Sequence, residues 1–596
     1  MPVYAVLLLI VAISVLPGAA SAGTPAAPGW SDADSRAVLD QTLELTLAPD
    51  LSHLDTDEAA AVALLLEAGG LVQDIYEDQK HPEALTARDR LRQAHQAAPS
   101  PETGRLLQLY RLAKGPVVTT PDNRRAAFLP VAPEVPGRNV YPPGLSREAF
   151  EQAAAVTPGL RFARGSVRRA GSAAHTADRR FLAARPGLEL LHPGLGKSLA
   201  EAQEGALYLA PYSLVYADRV ARIAALVGAA AARLAASDPD LAAYLRLRAL
   251  DLQSENYEAG DAAWVLGRFG HLNVQLGSYE TYDDALAGIK AFYGMSVLVR
   301  DEKRTRDLAA DLGGLQALED ALPYQHKKRV REGIPVGVYH VVADFGQARG
   351  ANTASILPND ADHARKYGRT ILLRYNIMTH PALFDRARGA FAAAVDPEFH
   401  GDLTAESRFR RTLWHEVGHY LGVDRTADGR RLGEALGEYA DLLEEMKSDL
   451  VSSFSAQQFA AAGRYDEADV RGIYAAGVLR VLQDVQPRRD QPYQTMQLMQ
   501  WNWLLDRGAL VWDRASGRLA IDYDAYPEAV ARMLAEVLAI QRHGDPRRAE
   551  AFVDQWSGWA PDLHGRVAAS IRAASRTRYT LVRYQALAEN RADGSR

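Results

Sequence analysis

The sequence predicts a mainly α protein with a smaller β element near its middle, an α+β fold. Three observations carry that prediction. Apolar residues recur at spacings of three and four in Ala60, Ala63, Leu64 and Ala68, and again in Leu106, Leu109, Tyr110 and Ala113, the period that turns one stripe of a helix toward a core. β-Branched residues gather near glycines within 271–276 and 336–343, where Val336, Val338, Val341 and Val342 fit strands. From Arg365 to the C-terminus the helical period returns.

Taken in order, the chain opens on an apolar run from Val3 to Leu16, followed by Pro17, Gly18 and the small-x-small triplet Ala20-Ser21-Ala22. That pattern is a signal peptide over residues 1–22, cut after Ala22, although no Lys or Arg precedes the run. The expected location is periplasmic or secreted. At 14 residues the run is shorter than the roughly 17 to 25 of a spanning helix, and no other stretch reads as one, so no membrane contact is expected after cleavage. Residues 23–144 form a helical region and a connector in which Pro116, Pro121, Pro130, Pro133, Pro136, Pro142 and Pro143 fix an extended path. Residues 145–365 form a mixed lobe. Its first part, 145–185, is rich in Arg and weakly structured in this reading, helices return over Leu199–Leu252, and the strands follow. Residues 366–596 form a helical lobe. No internal repeat is present.

Composition excludes several function classes. With 47% hydrophobic and 24% charged residues in 596, the chain is a folded one with room for about three to five domains or fewer large ones. A formal charge of -6 provides no broad basic surface for nucleic acid. There is no cysteine, which excludes disulfides, thiolate metal sites and a cysteine nucleophile. Any metal must be held by His, Asp or Glu.

Such a set exists. His415-Glu416-Val417-Gly418-His419 is an H-E-x-x-H motif on a helix whose buried face reads Leu413, Val417, Leu421. Residues four apart share a helical face, so the two imidazoles converge, and Glu416 reaches a water at the same point as a general base. Chance would supply about 0.05 such motifs at this composition. A catalytic zinc needs a third protein ligand and one open position. Glu445, 26 residues after His419, leads over Glu434, Glu438 and Glu444 for that role, because Asp449 follows it by four on the same face of a returning helix. Asp449 and Glu444 are expected to stand behind the ligands. The polar segment Asp424–Gly433 suits the turn between the helices. One Zn2+ per chain is the predicted cofactor. A longer metzincin motif fails, since Arg425 occupies the place of its third His. Gly196-Lys197-Ser198 lacks the first glycine of a phosphate loop, where Leu191 stands, and His326-Lys327-Lys328-Arg329 reads as a solvated face.

Five segments together resemble the dipeptidyl peptidase III family of zinc peptidases, in its bacterial branch with a five-residue zinc motif: Gly277 to Tyr282, Leu357-Pro358-Asn359-Asp360, His415 to His419, Glu444 to Asp449, and Leu538 to Asp545. The resemblance covers roughly the second half of the chain. It implies two lobes, one helical and carrying zinc, the other containing a small β-barrel, with a cleft between them. It also implies that Glu280 holds the free α-amine of a peptide, that Tyr282 donates to the oxyanion, and that Asn359 holds the peptide backbone beside a strand edge at Ala354–Leu357. Departures from the family pattern are Ile356 in place of an asparagine, and Tyr493 and Thr495 where a His and a nearby Arg line the cleft. The expected function is an exported zinc exopeptidase that releases dipeptides from the N-terminus of short peptides, with Glu416 moving the proton. The alternatives are a catalytically weak or inactive peptide-binding protein of the same fold, and a zinc hydrolase of another amide.

Overall fold

The structure, a computed structural model, describes residues 29–330, 335–348, 353–358, 361–489 and 491–592. The signal peptide read over residues 1–22 and Asn359, expected to hold the peptide backbone, lie outside the described residues.

Two separate apolar cores give the molecule two lobes. The first gathers Leu65, Val72 and Ile75 with Val220, Val227 and Leu245 and with the strand residues Val274, Phe292, Val297 and Val341. The second gathers Phe409, Leu413, Trp414 and Val417 with Leu443, Met446, Trp501, Met533 and Leu538. In the first lobe helices α1 (Thr56–Lys80), α2 (Ala217–Arg233) and α3 (Pro239–Ser254) pack around one sheet. Helix α1 begins on a capping box, Asp55 with Glu58, which satisfies two otherwise unpaired amides. It is long and apolar enough to cross a membrane by length and composition, but its inward residues Leu65, Ala68, Val72 and Ile75 are fully buried in the core.

The sheet has five strands: β1 (Leu272–Glu280), β2 (Phe292–Arg300), β3 (Val336–Gly346), β4 (Ala354–Leu357) and β5 (Thr370–Arg374), in the order β1-β2-β3-β5-β4. β3 and β5 run parallel, Leu372 opposite Gly337, while β5 and β4 are antiparallel, Leu372 opposite Ser355. The β element of this lobe is a mixed sheet, with β1 and β4 at the ends of its strand order among the described residues. β5 also lies beyond residue 365, inside the region whose helical period dominates the sequence.

Two other differences from the sequence reading have clear causes. Thr42–Leu47 is a strand paired in parallel with Tyr579–Tyr584. Its alternation Leu43, Leu45, Leu47 has period two, and its partner lies at the far end of the chain, so no local signal exposes the pair. The C-terminal segment therefore returns to the first lobe, where Ala586 joins its core. Residues 145–185, read as weakly structured, hold a helix (Arg147–Val156), a strand (Gly165–Arg169) and a second helix (Ala173–Ala184), and an arginine of this stretch, Arg168, pairs with Asp178.

The second lobe is helical. α4 (Ala405–Gly418), α6 (Glu467–Val481), α7 (Pro492–Asp506) and α8 (Tyr526–His543) pack around α5 (Ala440–Ala461). α4 starts on a Thr404/Ser407 capping box and ends at the metal motif. The segment read as a turn, Asp424–Gly433, is closed by a bridge between Arg425 and Arg431, and a short helix, Leu432–Leu436, begins inside it and leads on to α5. α4 and α5 approach closely because residue 418 is Gly: a Cβ there would sit 3.0 Å from Ser448 Cα and 3.1 Å from its carbonyl oxygen.

Candidate active site

That close approach sets the site. His415 and His419 stand one turn apart on α4, ring centroids 5.1 Å apart, and α5 brings Glu445 up to both. His415 Nε2 is 3.3 Å from Glu445 Oε2, and His419 Nε2 is 3.8 Å from Oε1. The three donor atoms lie within 4.8 Å of one another. Donors 2.0–2.1 Å from a tetrahedral zinc stand about 3.3 Å apart, so this N,N,O set fits a zinc ion with little movement. Three protein ligands leave one tetrahedral position for water or substrate.

The remaining ring nitrogens are held from behind. His415 Nδ1 lies 2.6 Å from Asp449 Oδ1. His419 Nδ1 lies 3.0 Å from Glu444 Oε1 and 3.0 Å from Ser448 Oγ. The partners of His419 Nδ1 fix its tautomer, and the Asp449 carboxylate against His415 Nδ1 favours the matching one, which leaves both Nε2 atoms facing Glu445. Each carboxylate is itself anchored. Asp449, 1% exposed, receives Arg411, Arg480 Nε at 3.3 Å and Gln500 Nε2 at 3.5 Å. Glu444 receives Lys447 Nζ at 2.7 Å and Gln541 Nε2 at 3.3 Å.

Protonation follows from these contacts. Burial, reinforced by the Arg411 charge, pushes His415 down to about 3, so its imidazole is neutral and its lone pair available. Burial would raise Glu444, but the Lys447 charge and the hydrogen bond from His419 overcome it and hold the carboxyl at about 2. Glu445 is likewise held below the ordinary range, against burial, by its contacts with the His415 and His419 imidazoles and with the Tyr493 hydroxyl. Glu416 goes the other way. Burial raises it, which suits a group that must take up and release a proton.

All three ligand candidates and Glu416 line a cleft of about 870 Å³ whose opposite wall comes from the sheet. Gln275, Glu280 and Tyr282 enter it from β1 and the turn after it, and Ala354 and Ser355 from the edge strand β4. A register shift between Ser278 and Glu280 turns the end of β1. Gly277 makes room for that end. It has φ +148°, and a Cβ there would meet the rings of Tyr257 at 2.6 Å and Tyr279 at 2.8 Å. Buried Arg374, at the end of β5, donates to Gln275 Oε1 at 3.1 Å and Ser296 Oγ at 3.0 Å, tying strands of the cleft wall together.

No family model matches the sequence. The sequence is similar to Nudix hydrolase 3 of Arabidopsis thaliana, 24% identical over 557 residues, which covers 86% of this chain and 69% of that protein. The structure superimposes on that of DPP III from Caldithrix abyssi with a TM-score of 0.78 at 24% sequence identity, over 93% of this chain and 99% of that one. For dipeptidyl-peptidase III from Corallococcus sp. strain EGB the TM-score is 0.71 at 22% identity, over 94% and 98% of the two chains. The chain has the dipeptidyl peptidase III fold. Within that fold the structure brings His415, Glu416, His419, Glu444, Glu445 and Asp449 together, and it puts Glu280 and Tyr282 across the same cleft, Tyr282 80% exposed. Of the two departures on α7, Tyr493 lines the cleft and its hydroxyl donates to Glu445 Oε1 at 3.1 Å. Thr495 is buried, 1% exposed, and donates to the Arg488 carbonyl. Ile356 pairs with Ile371 in the β4–β5 ladder.

Sequence reasoning missed the cations behind the site. Lys447 follows Glu444 by three and so shares a helical face with the carboxylate it serves, whereas Arg411, one turn before His415 on α4, reaches across to Asp449 on α5. That spacing is readable, but Arg and Lys in a helix pass as solvated charges until burial is known.

Proposed function

We propose that this protein is a zinc-dependent peptidase that removes dipeptides from the N-terminus of short peptides. The reading rests above all on the cluster of His415 Nε2, His419 Nε2 and Glu445 in one cleft with Glu416 and with the edge strand β4. Held by His415, His419 and Glu445, a zinc ion would polarise the scissile carbonyl and bring the pKa of water toward neutrality.

The chain's own groups do the rest. The open edge of β4 receives the peptide main chain by strand addition, which fixes its path with little side-chain preference. Glu280 pairs with the free α-amine and so counts residues from the N-terminus. Glu416 accepts the proton of the attacking water on its carboxylate and delivers it to the departing amine nitrogen. The Tyr282 hydroxyl donates to the carbonyl oxygen as it gains charge; loss of one such donor costs about 10² to 10³ in rate. The apolar run from Val3 to Leu16 and the Ala20–Ala22 triplet support export, with the enzyme acting outside the cytoplasm.

Zinc content together with mass spectrometry of products from an oligopeptide pool tests the reading. The expected result is one zinc per chain, products shortened by two residues from the N-terminus, no turnover of N-acetylated peptides, and loss of turnover in a Glu416→Ala enzyme that keeps its zinc. Tight peptide binding by zinc-loaded protein without any cleavage would replace the peptidase by a peptide-binding protein. Cleavage of amides that lack an α-amine would replace it by a different hydrolase.

A further inference from the structure

A second cavity, of about 470 Å³, adjoins the cleft on the far side of the turn after β1. Tyr282 lines both cavities. Asp283, the next residue, lines the second, and its carboxylate accepts at 3.2 Å from Gln347 Nε2, whose residue lines the cleft. The partition between the two spaces is therefore the segment Tyr282-Asp283.

The second cavity is cationic. Among its described lining residues Arg111, Lys114, Arg125 and Arg138 carry positive charge, Lys80 adds to it when protonated, and Asp283 carries the negative charge. Glu134 stands behind, bonded to Arg125 at 2.8 Å and to Arg138. Two of these groups are built in, Lys80 being 8% exposed and the Arg138 side chain 12%, while Arg111 and Arg125 stand at the exposed rim. Lys80 donates to the Ala113 carbonyl at 2.7 Å, and Lys114 donates to the Gly346 and Ala348 carbonyls at 2.7 and 2.8 Å. Burial, with the Arg125, Arg138 and Lys114 charges adding to it, lowers Lys80 to about 7. Tyr76, Leu581, Val582 and Tyr584 supply apolar wall. Like charges gathered in a concave, partly desolvated space raise the local potential and draw an anion into it.

A short peptide is the anion that the neighbouring cleft would deliver. Its amine is cationic and its other end anionic, and the two cavities offer the complementary order, Glu280 on one side of Tyr282 and the cations on the other. Resting on the function proposed above, we infer that this pocket takes a carboxylate of the bound peptide, from its C-terminus or from an acidic side chain, and makes the enzyme selective for short, negatively charged peptides.

The test compares zinc-loaded wild type, Arg111→Gln and Arg125→Gln on pentapeptides with a free or amidated C-terminus, and on amidated pentapeptides with Glu or Gln at each position after the second. A charge-assisted hydrogen bond supports a ratio of about ten or more in kcat/KM for carboxylate over neutral partner, carried by KM and shrinking as salt is added. In the variants that ratio falls toward one while turnover of the neutral amide is unchanged. A preference in the free-acid pair assigns the terminal carboxylate, and one in the Glu/Gln pairs an acidic side chain. A wild-type ratio of one at low salt, or a ratio kept in both variants, overturns the proposal. Because Arg125→Gln releases Glu134, its melting temperature is measured alongside, and Arg111→Gln, at an exposed position, is the independent variant. If no peptide is cleaved, the function proposed above fails separately, and calorimetric binding of the same free-acid and amidated peptides to the wild type and both variants still reads the pocket.

Discussion

Replacing Asp449 by Asn is the sharpest test of how the metal site is built. Asp449 is 1% exposed, stands 2.6 Å from His415 Nδ1, and takes Arg411 and Arg480 on its two oxygens. Asn keeps the shape but removes the charge. With its oxygen in the place of Oδ1, Asn turns its NH2 on Arg480 Nε and Gln500 Nε2, and with its oxygen in the place of Oδ2 it turns its NH2 on His415 Nδ1 and Arg411, donor against donor either way. Loss of a partner behind a metal-bound histidine costs about 10- to 100-fold in metal affinity, equivalent to about 1.4 to 2.7 kcal/mol at 1.36 kcal/mol per factor of ten. Stability falls as well, since a buried ion pair that loses one charge costs about 3 to 5 kcal/mol. Arg411 is itself 7% exposed, so it cannot turn to solvent without repacking. Competitive zinc titration against a chromophoric chelator measures the first effect, and chemical denaturation of the metal-free protein the second. A folded Asp449→Asn protein that binds zinc as tightly as the wild type would refute the claim that Asp449 aims His415, whatever its stability.

Gly418→Ala puts a methyl 3.0 Å from Ser448 Cα, which must push α4 from α5; overpacking of this kind costs about 1 to 3 kcal/mol, and zinc affinity should fall with it, read by the same titration. Gly277→Ala, at φ +148° with a Cβ 2.6 Å from the Tyr257 ring, should lower the melting temperature and raise KM by displacing Glu280, with zinc content unchanged. Burial raises Glu416 above its ordinary value; because the base works deprotonated, kcat/KM should fall as pH falls through a value above 4.5, and a rate that stays level down to pH 4.5 in zinc-loaded enzyme would remove Glu416 as the base.

What could be read from the sequence was what one or two helical turns encode. His415 and His419 at i and i+4, and Glu445 and Asp449 at i and i+4, each declare a shared face, and the structure joins the two faces. What could not be read depends on contacts between distant segments. The strand Thr42–Leu47 finds its partner at Tyr579–Tyr584, and the short apolar run of β5 sits among helices, where periodicity alone cannot separate a buried strand from a buried helix. The basic pocket beside Tyr282 is the extreme case, assembled from α1, from the segment between Arg111 and Arg138, and from the C-terminal strand.

The cations behind the site explain a feature that neither helix explains alone. Asp449 and Glu444 must be charged to orient the imidazoles, yet buried Asp449 and half-buried Glu444, next to Glu445 and Glu416, repel one another and would hold protons. Arg411 and Arg480 at Asp449, and Lys447 at Glu444, bind the two rear carboxylates in their ionised form. Lys447, 1% exposed, also donates to the Leu421 carbonyl at 2.8 Å, so its charge is fixed to the end of the motif segment. With those two acids matched, Glu445 is left as the anionic ligand, balanced by the imidazoles and Tyr493, and Glu416 as the acid that burial leaves easiest to protonate. Ligand, base and orienting groups thus differ in protonation because of their neighbours, and exchanging Lys447 for a neutral residue would blur the distinction at Glu444 before it touched any ligand.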